Sequence, residues 1–412
     1  MHLLIIGYHY TSQNSVGNLR IEKFTKSFHD LGYRVTLFSA QGPDPTHNSS
    51  FRVHQFPTSD FTLFIKRRPS SRSQESGNFW LKVILRLKNT FPFLYLLSPG
   101  GPRYRYAILK AFKSLHAEQP VTHLLTSYDP VYDLIIGRDI KRKAPELLWM
   151  VDFRDLPVDP VKKNTWWSTA TNAFYRNLLR SADRITTVSQ GLARRLPIAS
   201  KHASVLYNGF SEYAFNPAPN RKTTKFTITY SGTVDVRLQD PRPVIQALAT
   251  LIDHGLLDAR DIEFHLAGPQ SALWKKWFHD FPAIRFCDHG HVSHAEAIEL
   301  QHKSQLNLLL TWASPKSTGI MTSKLFEYLA AQRPIIAYVH GIPDPEIIHL
   351  VDTVNGGHCL TSGNDELSNS PAPWIIQQYE LWKKNGFVPS HTNLELLNHY
   401  RWGHLFQAWY NP

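Results

Sequence analysis

The chain has 412 residues, of which 42% are hydrophobic and 19% are charged, and its formal net charge is +12. This length suits two domains, and the hydrophobic content excludes a disordered protein. Only two cysteines occur, Cys287 and Cys359, so we expect no disulfide framework, no cysteine metal site and a reducing, cytoplasmic environment.

The N-terminus does not have the pattern of a targeting sequence. Its apolar run from Leu3 to Ile6 has no basic region before it and is too short for a signal peptide. The most apolar region, 81–98, is interrupted by Lys82, Arg86 and Lys88, which argues against a membrane-spanning helix.

Strands alternating with helices are predicted through the first half of the chain. Apolar runs predict strands at 2–6, 34–40, 52–56, 123–127, 147–151, 185–188 and 204–207, and helical patterns at 18–31, 106–118, 133–143, 166–180 and 190–196. This alternation is typical of a doubly wound parallel sheet. We therefore assign residues 1–207 to an N-terminal Rossmann-like domain.

The first strand-to-helix loop runs from Gly7 to Gly17 and leads to Asn18 and Arg20. Backbone N–H groups at such a helix start can approach an anionic group. The loop lacks the G-x-G-x-x-G spacing, so a nicotinamide or flavin site is not favoured. A plain turn is the alternative.

The segment 61–113 carries most of the excess positive charge. It has eleven Lys or Arg and one acid, Glu75, a difference of +10, interleaved with aromatic and aliphatic residues. This composition suits an anionic membrane surface, where each Lys or Arg contributes about 1 kcal/mol. Nucleic-acid binding and an ordinary solvated helix are the alternatives. We favour the membrane surface and expect no nucleic-acid partner.

Charged residues follow two apolar strands of the first half, in the sequences Thr126-Ser-Tyr-Asp-Pro130 and Asp152-Phe-Arg-Asp155. Doubly wound enzymes place chemistry at the carboxyl ends of strands. Asp152 and Asp155 are candidate acid or base groups, or they orient Arg154 towards a phosphate. An internal ion-pair cluster is the alternative.

A second α/β series follows a predicted linker at 208–224. Strands are predicted at 226–230, 262–267, 284–287, 306–311 and 335–338, and helices at 242–254, 273–280 and 293–303. We assign 225–385 to a second Rossmann-like domain and 386–412 to a helical segment that can cross back to the first. A ligand is expected in the cleft between the two halves.

The stretch 314–338 predicts an anion site. A loop of small residues opens onto a helix, with its N-terminus placed after Thr318, that carries Lys324 and Glu327 on one face. A phosphorylated ligand with hydroxyl groups would use both side chains. A Lys–Glu pair on the protein surface is the alternative.

Two further segments of the second half are candidates. Gly232 and Thr233 end the first strand, and Arg237 and Arg242 follow with guanidinium groups that match phosphate oxygens, unless they are ordinary surface arginines. The histidine-rich segment 288–294 fits no zinc pattern, and no D-x-D sequence occurs. We therefore expect phosphate stabilisation without a metal.

In their order along the chain, several motifs resemble the GT-B-fold glycosyltransferases, specifically the retaining family 4 enzymes of bacterial surface polysaccharide and lipopolysaccharide synthesis. The motifs are LLIIGYHY at the N-terminus with Gly17-Asn-Leu-Arg20, VDFRD at 151–155, SADRITTVSQGL at 181–192, VLYNGF at 205–210, ITYSGT at 228–233, IEFHLAGP at 262–269, HGHVSHAEA at 289–297 and SKLFEYLAAQRPIIA at 323–337.

The resemblance implies two Rossmann-like domains facing a central cleft, and sugar transfer from a nucleotide-sugar donor held mainly by the C-terminal half. In that family a Glu at the position of Glu327 holds the donor ribose. The Glu expected eight positions earlier is Gly319 here, which leaves the backbone N–H groups of Gly319, Ile320 and Met321 for the sugar.

The resemblance and the residue patterns described above together assign roles to the remaining candidates. The catalytic group would comprise Arg237, Lys324, Glu327 and Asp155, with Arg237 or Arg242 and Lys324 on the diphosphate. The donor would also contact Gly17, Gly232, Thr233 and the base loop of Gly290, His291 and Val292. The acceptor would lie near Asn18, Arg20, Asp152 and Arg154.

We thus expect a metal-independent hexosyltransferase without a cofactor, peripheral on the inner face of the plasma membrane, that acts on a glycan or a lipid-linked acceptor. Two alternatives stay open. One is a nucleotide-sugar epimerase or phosphorylase of the same fold. The other is a catalytically silent nucleotide-sugar-binding partner of a synthase complex, which Gly319 favours.

Overall fold

The structure is a computed structural model that describes residues 1–10, 16–40, 51–58, 79–198, 203–362 and 370–410. The chain divides into two compact units, Met1–Leu206 and Tyr207–Pro412. The boundary directly precedes the predicted linker at 208–224. Residues 61–78 of the basic segment and residues 11–15 of the first loop lie outside the described residues.

The N-terminal unit contains a parallel sheet with the strand order β3-β2-β1-β4-β5-β6-β7. Its strands are β1 His2–Ile6, β2 Arg34–Ala40, β3 Arg52–Phe56, β4 His123–Tyr128, β5 Leu148–Phe153, β6 Arg184–Thr187 and β7 Ala203–Val205. Its described helices are α1 Val16–Asp30, α2 Phe79–Leu87, α3 Leu94–Leu97, α4 Gly101–Glu118, α5 Val131–Lys143, α6 Ser168–Leu178 and α7 Gln190–Ala193.

The central strands of this sheet form because they can be buried on both faces. All five residues of β1 are buried, and so are the last five residues of both β4 and β5. Continuous apolar runs of this kind are typical of parallel strands that are covered by helices on both sides. The pairing of Ile6 with both Phe38 and Thr126 brings the carboxyl ends of β1, β2 and β4 to the same edge.

The C-terminal unit contains a second parallel sheet with the order β10-β9-β8-β11-β12-β13. Its strands are β8 Phe226–Ser231, β9 Ile262–Ala267, β10 Arg285–Asp288, β11 Leu306–Ala313, β12 Ile335–Gly341 and β13 Gly357–Thr361. Its described helices are α8 Arg242–Asp253, α9 Ser271–Phe278, α10 His294–Lys303, α11 Ser323–Ala330, α12 Pro345–Thr353, α13 Ala372–Asn385, α14 Leu394–Asn398 and α15 Trp402–Tyr410.

Two hydrophobic clusters form the core of this second unit. One contains Phe226, Phe264 and Trp274 with residues of α8 and α13, and the other contains Phe326 with residues of α12. The α14–α15 region also belongs to this unit, where the Trp402 N–H donates to the Phe210 carbonyl at 2.9 Å. No helix among the described residues is long and apolar enough to cross a membrane.

Candidate functional site

Lys324 lies in the first turn of α11 and reaches the end of β8. Its Nζ donates to the Tyr230 hydroxyl at 3.2 Å and to the Thr233 carbonyl at 3.4 Å, and it lies 4.8 Å from the centre of the Tyr230 ring. Burial lowers the pKa of Lys324 from 10.5 to about 8, against the opposing effect of Glu327. Burial thus disfavours the charged form of this amine, and a bound anion would raise its pKa again.

Gly232 makes room for Lys324. Its φ of 110° suits glycine, and a Cβ at this position would lie 2.5 Å from both Cε and Nζ of Lys324. On the other side, a Cβ on Gly268 would overlap the Gly232 carbonyl oxygen. The backbones of the loops after β8 and β9 therefore approach each other closely at Gly232 and Gly268. The absence of side chains at these two positions also leaves the main chain open to close approach by a ligand.

Glu327 is held separately from Lys324. Its Oε1 lies 2.9 Å from His294 Nε2, and the other ring nitrogen of His294 lies 3.3 Å from the Tyr213 hydroxyl. The Glu327 side chain is 14% exposed. No Lys324–Glu327 ion pair is present in the part of the chain that the structure describes, so the surface-pair alternative does not describe this helix.

A buried network fixes α11 against β8. The Tyr328 hydroxyl accepts a hydrogen bond from the Ser231 N–H at 3.0 Å and lies 3.1 Å from Ser231 Oγ, to which Gln301 Nε2 donates at 3.0 Å. All three side chains are buried. Because Tyr328 follows Glu327 directly, this network holds the helix turn that presents the carboxylate.

The loop before α11 is fixed by Asp344, a buried residue at the start of α12. Its Oδ2 accepts from the Gly319 N–H at 2.6 Å, and its Oδ1 accepts from the Glu346 N–H at 3.1 Å. The Met321 N–H donates to the Gly319 carbonyl at 3.0 Å. The N–H groups of Gly319 and Met321, two of the three expected to contact the sugar, thus donate to acceptors within the protein. The third expected group is the N–H of Ile320.

The helix itself begins later than the sequence predicts. α11 starts at Ser323 and not directly after Thr318. The residues in between form the loop that Asp344 holds, with φ of 72° at Gly319. A side chain at this position would be strained in that conformation, which gives Gly319 a backbone role.

The two arginines expected on the diphosphate are exposed and paired with nearby aspartates. Arg237 contacts Asp235 at 3.1 Å, and Arg242 contacts Asp240 at 2.7 Å, with arginine side chains 80% and 60% exposed. Exposed pairs of this kind contribute little to stability and can be exchanged for another anion. In this structure neither arginine contacts Lys324.

The expected base loop joins β10 to α10. The Gly290 N–H donates to Asp288 Oδ1 at 2.9 Å, and the Gly290 carbonyl accepts from the Gly268 N–H at 2.7 Å. His291 is exposed and Val292 is half-buried. Ser293 caps α10 directly after them, in a reciprocal pair with Glu296. The loop is thus held at both ends and presents its middle residues.

In the N-terminal unit, Arg20 and Asp152 form an internal ion pair. Arg20 Nε and Nη2 donate to the two carboxylate oxygens of Asp152 at 2.8 and 2.7 Å, and Nη2 also donates to the Leu206 carbonyl. The Thr186 hydroxyl donates to Asp152 as well. Both charged side chains are no more than 3% exposed, so this pair matches the internal ion-pair alternative. Gly17 and Asn18 lie in the same helix, α1.

The other charged residues of this unit are more accessible. The Asp155 side chain is 73% exposed, 3.8 Å from Lys162, and Arg154 is half-buried. Asp129, directly after β4, has a pKa raised mainly by burial and further by Asp155, whereas Lys88 lowers it. These charges act on one another at the carboxyl ends of β4 and β5.

Three supporting residues escaped sequence reasoning. His294 and Tyr230 lie within motifs of the resemblance but carry no role there, and Asp344 lies in no motif. The signal was a polar residue at a strand end or helix start, which is too common to select one. Their roles depend on contacts between segments that are distant along the chain.

The described residues also include one group with the arrangement of metal ligands, Glu263, His265 and Cys287. These side chains lie on β9 and β10, whereas Lys324 and Glu327 follow β11. The strand order places β8 between β9 and β11. The group is therefore separate from the site around α11.

No protein-family model matches the chain, and no curated protein matches it by sequence. Solved structures do match. The apo form of the lipopolysaccharide outer core galactosyltransferase WaaB is 11% identical, with a TM-score of 0.56 and coverage of 100% of this chain and 98% of that one. TarM is 8% identical, with a TM-score of 0.63 and coverage of 100% and 98%.

A third match is a putative UDP-N-acetylglucosamine 2-epimerase from Listeria monocytogenes. It is 9% identical, with a TM-score of 0.52 and coverage of 100% of this chain and 97% of that one. At such identities the likeness shows the fold alone. The predicted class is confirmed in that sense: an α/β chain with two Rossmann-like domains of the GT-B type.

Proposed function

We propose that this chain is a glycosyltransferase that moves a hexose or related sugar from a nucleotide-sugar donor to a glycan or lipid-linked acceptor in cell-surface polysaccharide synthesis. One observation carries the proposal. The cation of Lys324 and the carboxylate of Glu327 project from a single helix, yet each is held by its own partner, at a glycine loop that admits backbone contact. A nucleoside diphosphate offers both a phosphate and a ribose diol to such a pair.

In the proposed mechanism, charge that develops on the leaving diphosphate is stabilised by Lys324 and by the first turn of α11. Arg237 or Arg242 would leave its exposed aspartate partner and join them. Glu327, oriented by His294, would accept hydrogen bonds from the ribose. This arrangement needs no metal ion on the diphosphate, and the transfer proceeds with retention of the anomeric configuration.

The acceptor hydroxyl would be bound by the N-terminal unit. Asp155 is the exposed candidate for contact with it, beside Arg154 and Asp129. The buried ion pair of Arg20 and Asp152 would not contact the acceptor but would hold β5 against α1.

We also propose that the N-terminal unit binds an anionic membrane surface. Among the described residues in and around the basic region, five large hydrophobic side chains are exposed, namely Leu85, Leu96, Tyr106, Trp166 and Trp167. Trp167 lies 5.6 Å from Phe93, measured between ring centres, so the two aromatic segments are neighbours. Exposed apolar groups beside basic ones are the composition of an interfacial surface.

A vesicle assay tests this surface. The triple variant Lys82→Glu, Arg86→Glu and Lys88→Glu is expected to stay in solution when mixed with anionic vesicles that sediment the wild type. A matched triple variant on exposed lysines of the C-terminal unit, Lys222→Glu, Lys276→Glu and Lys384→Glu, changes the net charge by the same amount and should still sediment. Equal sedimentation of the first variant and wild type would contradict the proposal.

The activity itself is tested with a panel of nucleotide sugars, with and without a membrane lipid extract as acceptor. A transferase releases free nucleotide in the presence of the extract, and the sugar appears on a lipid or glycan by mass spectrometry. Metal independence is tested by whether activity persists after treatment with EDTA. Retention is tested by NMR, which shows whether the anomeric configuration of the product is that of the donor. Lys324→Met should abolish the release.

The same experiment separates the alternatives. The fold is shared with a putative epimerase, and an epimerase would convert the sugar nucleotide without any acceptor. A silent binding partner would bind the nucleotide sugar, as seen by thermal shift, with neither release nor conversion. Either outcome would overturn the transferase proposal.

A further inference from the structure

A cluster of three side chains of different chemistry lies on the outer strands of the second sheet. The ligand atoms of Glu263, His265 and Cys287 all lie within 4.8 Å of one another. The Nε2 of His265 is 3.1 Å from Glu263 Oε2, and the strand register places Cys287 directly beside His265. A carboxylate, an imidazole and a thiol therefore converge across two adjacent strands.

The strand alternation explains why they share one face. Along β9, Glu263 and His265 alternate with Phe264, which is buried in the hydrophobic core, and Phe286 on β10 packs against the same core. Successive residues of a strand point to opposite sides of the sheet. The three polar side chains consequently lie on the side opposite Phe264, at the edge of the sheet formed by β10.

Two further side chains orient the cluster. His289 Nε2 lies 3.1 Å from the Nδ1 of His265, and Arg285 Nη1 lies 3.2 Å from Glu263 Oε1. Metal-bound histidines and carboxylates characteristically have such outer partners, which fix the ring orientation and the ligating atom. Here they leave His265 Nε2 and Glu263 Oε2 directed towards each other.

Two cysteines alone predict no cysteine metal site, but the sheet brings one of them beside a histidine and a carboxylate. Against that expectation we propose that Glu263, His265 and Cys287 bind a divalent transition metal of the zinc class, with a fourth position open to water. Around a tetrahedral zinc ion the ligand atoms are about 3.3–3.8 Å apart. The widest separation in the cluster, at most 4.8 Å, would therefore close by roughly 1 Å, and the 3.1 Å contact between His265 and Glu263 would open slightly. The thiol favours zinc over magnesium and calcium, which select oxygen ligands. Binding releases the thiol proton of Cys287 to solvent.

This proposal does not depend on the proposed function, and the site is separate from α11. A metal there would tie the edge strand β10 to β9. The loop that follows β10 is already joined to β9 and its end by bonds from the His289 N–H to the Leu266 carbonyl and from the Gly268 N–H to the Gly290 carbonyl. We therefore expect the bound metal to stabilise this edge of the sheet, with a higher melting temperature in the metal-bound protein.

Cobalt is the probe for the test, because Co²⁺ occupies zinc sites and reports its ligands by absorption. Full-length protein is freed of metal with a chelator and titrated with Co²⁺. We expect one equivalent to produce the d–d bands of a tetrahedral site together with a thiolate-to-cobalt charge-transfer band, both lost on addition of one equivalent of Zn²⁺.

Variants identify the ligands. Cys287→Ser should remove the charge-transfer band, and His265→Gln should weaken binding at least tenfold. Cys359→Ser is the matched control, since Cys359 is the other cysteine and lies on β13, and it should leave the spectrum unchanged. Arg285→Met, which removes an outer partner only, should weaken binding by about 10- to 100-fold without loss of the thiolate band.

A measurement on the wild type removes the risk that a variant fails to fold. Zn²⁺ should protect Cys287 from alkylation by iodoacetamide, as seen by peptide mass spectrometry, while Cys359 serves as the internal reference. Absence of a saturable thiolate–cobalt band, or alkylation of Cys287 that Zn²⁺ does not slow, would show that the cluster is a hydrogen-bonded polar face only and would overturn the proposal.

Discussion

Lys324 should make nucleotide binding depend on pH in a defined way. Burial gives its amine a pKa of about 8, whereas a bound diphosphate needs the charged form and would raise that pKa. The proton is therefore taken up on binding when the pH lies above 8. The apparent Kd should be nearly constant below pH 8 and should then rise about tenfold per pH unit, which is a loss of about 1.4 kcal/mol of binding free energy per unit.

The sign follows from the direction of the pKa shift. Between pH 7 and pH 9 the fraction of charged Lys324 in the ligand-free protein falls from about nine-tenths to about one-tenth, so the apparent Kd should rise about tenfold. The phosphate groups do not contribute, because their second ionisation, near pH 6, is complete in this range. The weakening ends where the pH reaches the pKa of Lys324 in the complex.

The assay is isothermal titration with whichever nucleoside diphosphate gives the largest thermal shift, at half-unit steps from pH 7 to pH 9.5. Buffers of different ionisation enthalpy report the proton uptake directly. Lys324→Arg keeps its charge throughout and should bind with a flat pH profile, and Lys324→Met should bind weakly with a flat profile.

Lys316→Met is the control. Lys316 is an exposed lysine of the loop before α11, and its loss should leave the slope intact. A wild-type Kd that stays within twofold between pH 7 and pH 9, or a Lys324→Met variant that keeps the slope, would refute the assignment of Lys324 to the diphosphate.

Three further outcomes are expected. Wild type should bind a ribonucleoside diphosphate more tightly than its 2′-deoxy analogue, because a hydrogen bond to a charged acceptor contributes about 1.5–3 kcal/mol. Glu327→Gln should lose this preference and His294→Asn should reduce it. An unchanged preference in Glu327→Gln would show that the carboxylate does not bind the ribose. Asp344→Asn should lower the free energy of unfolding in urea by about 1–3 kcal/mol, because a buried acceptor of backbone N–H groups is weakened. Arg20→Met should lower it by about 3–5 kcal/mol by leaving Asp152 buried without its cation, and adding Asp152→Leu should restore part of that loss; a neutral Arg20→Met would contradict the internal ion pair.

The order of strands and helices follows from the sequence, because short apolar runs bounded by turn residues alternate with segments of 3.6-residue period, which is the pattern of a parallel α/β chain. The bounds predicted for β2, β3 and β9 agree with the structure to the residue. The strand β13 was missed, since Gly357 and His358 interrupt its apolar pattern and its partner β12 supplies the backbone hydrogen bonds.

The candidate residues on α11 also followed from sequence, through the loop of small residues and the spacing of Lys324 and Glu327. Local spacing predicts which side chains share a helix face, but it does not predict what each side chain contacts. Lys324 could have paired with Glu327, but the Tyr230 hydroxyl at the end of β8 and His294 on α10 bind the two side chains separately.

The same distinction holds for the buried charges. From the sequence, Arg20 lies near a helix start and Asp152 near a strand end, and either could contact a ligand or the other. The packing of β5, which pairs with β6, beside α1 brings the two side chains together as an internal ion pair. Cys287, His265 and Glu263 carried no spacing motif because a sheet brings them together across two strands. Sequence by itself determined the periodicity of burial and hence the fold class, since burial depends on local pattern. The partners of each polar side chain were decided by tertiary structure, because those contacts join segments that no local pattern links.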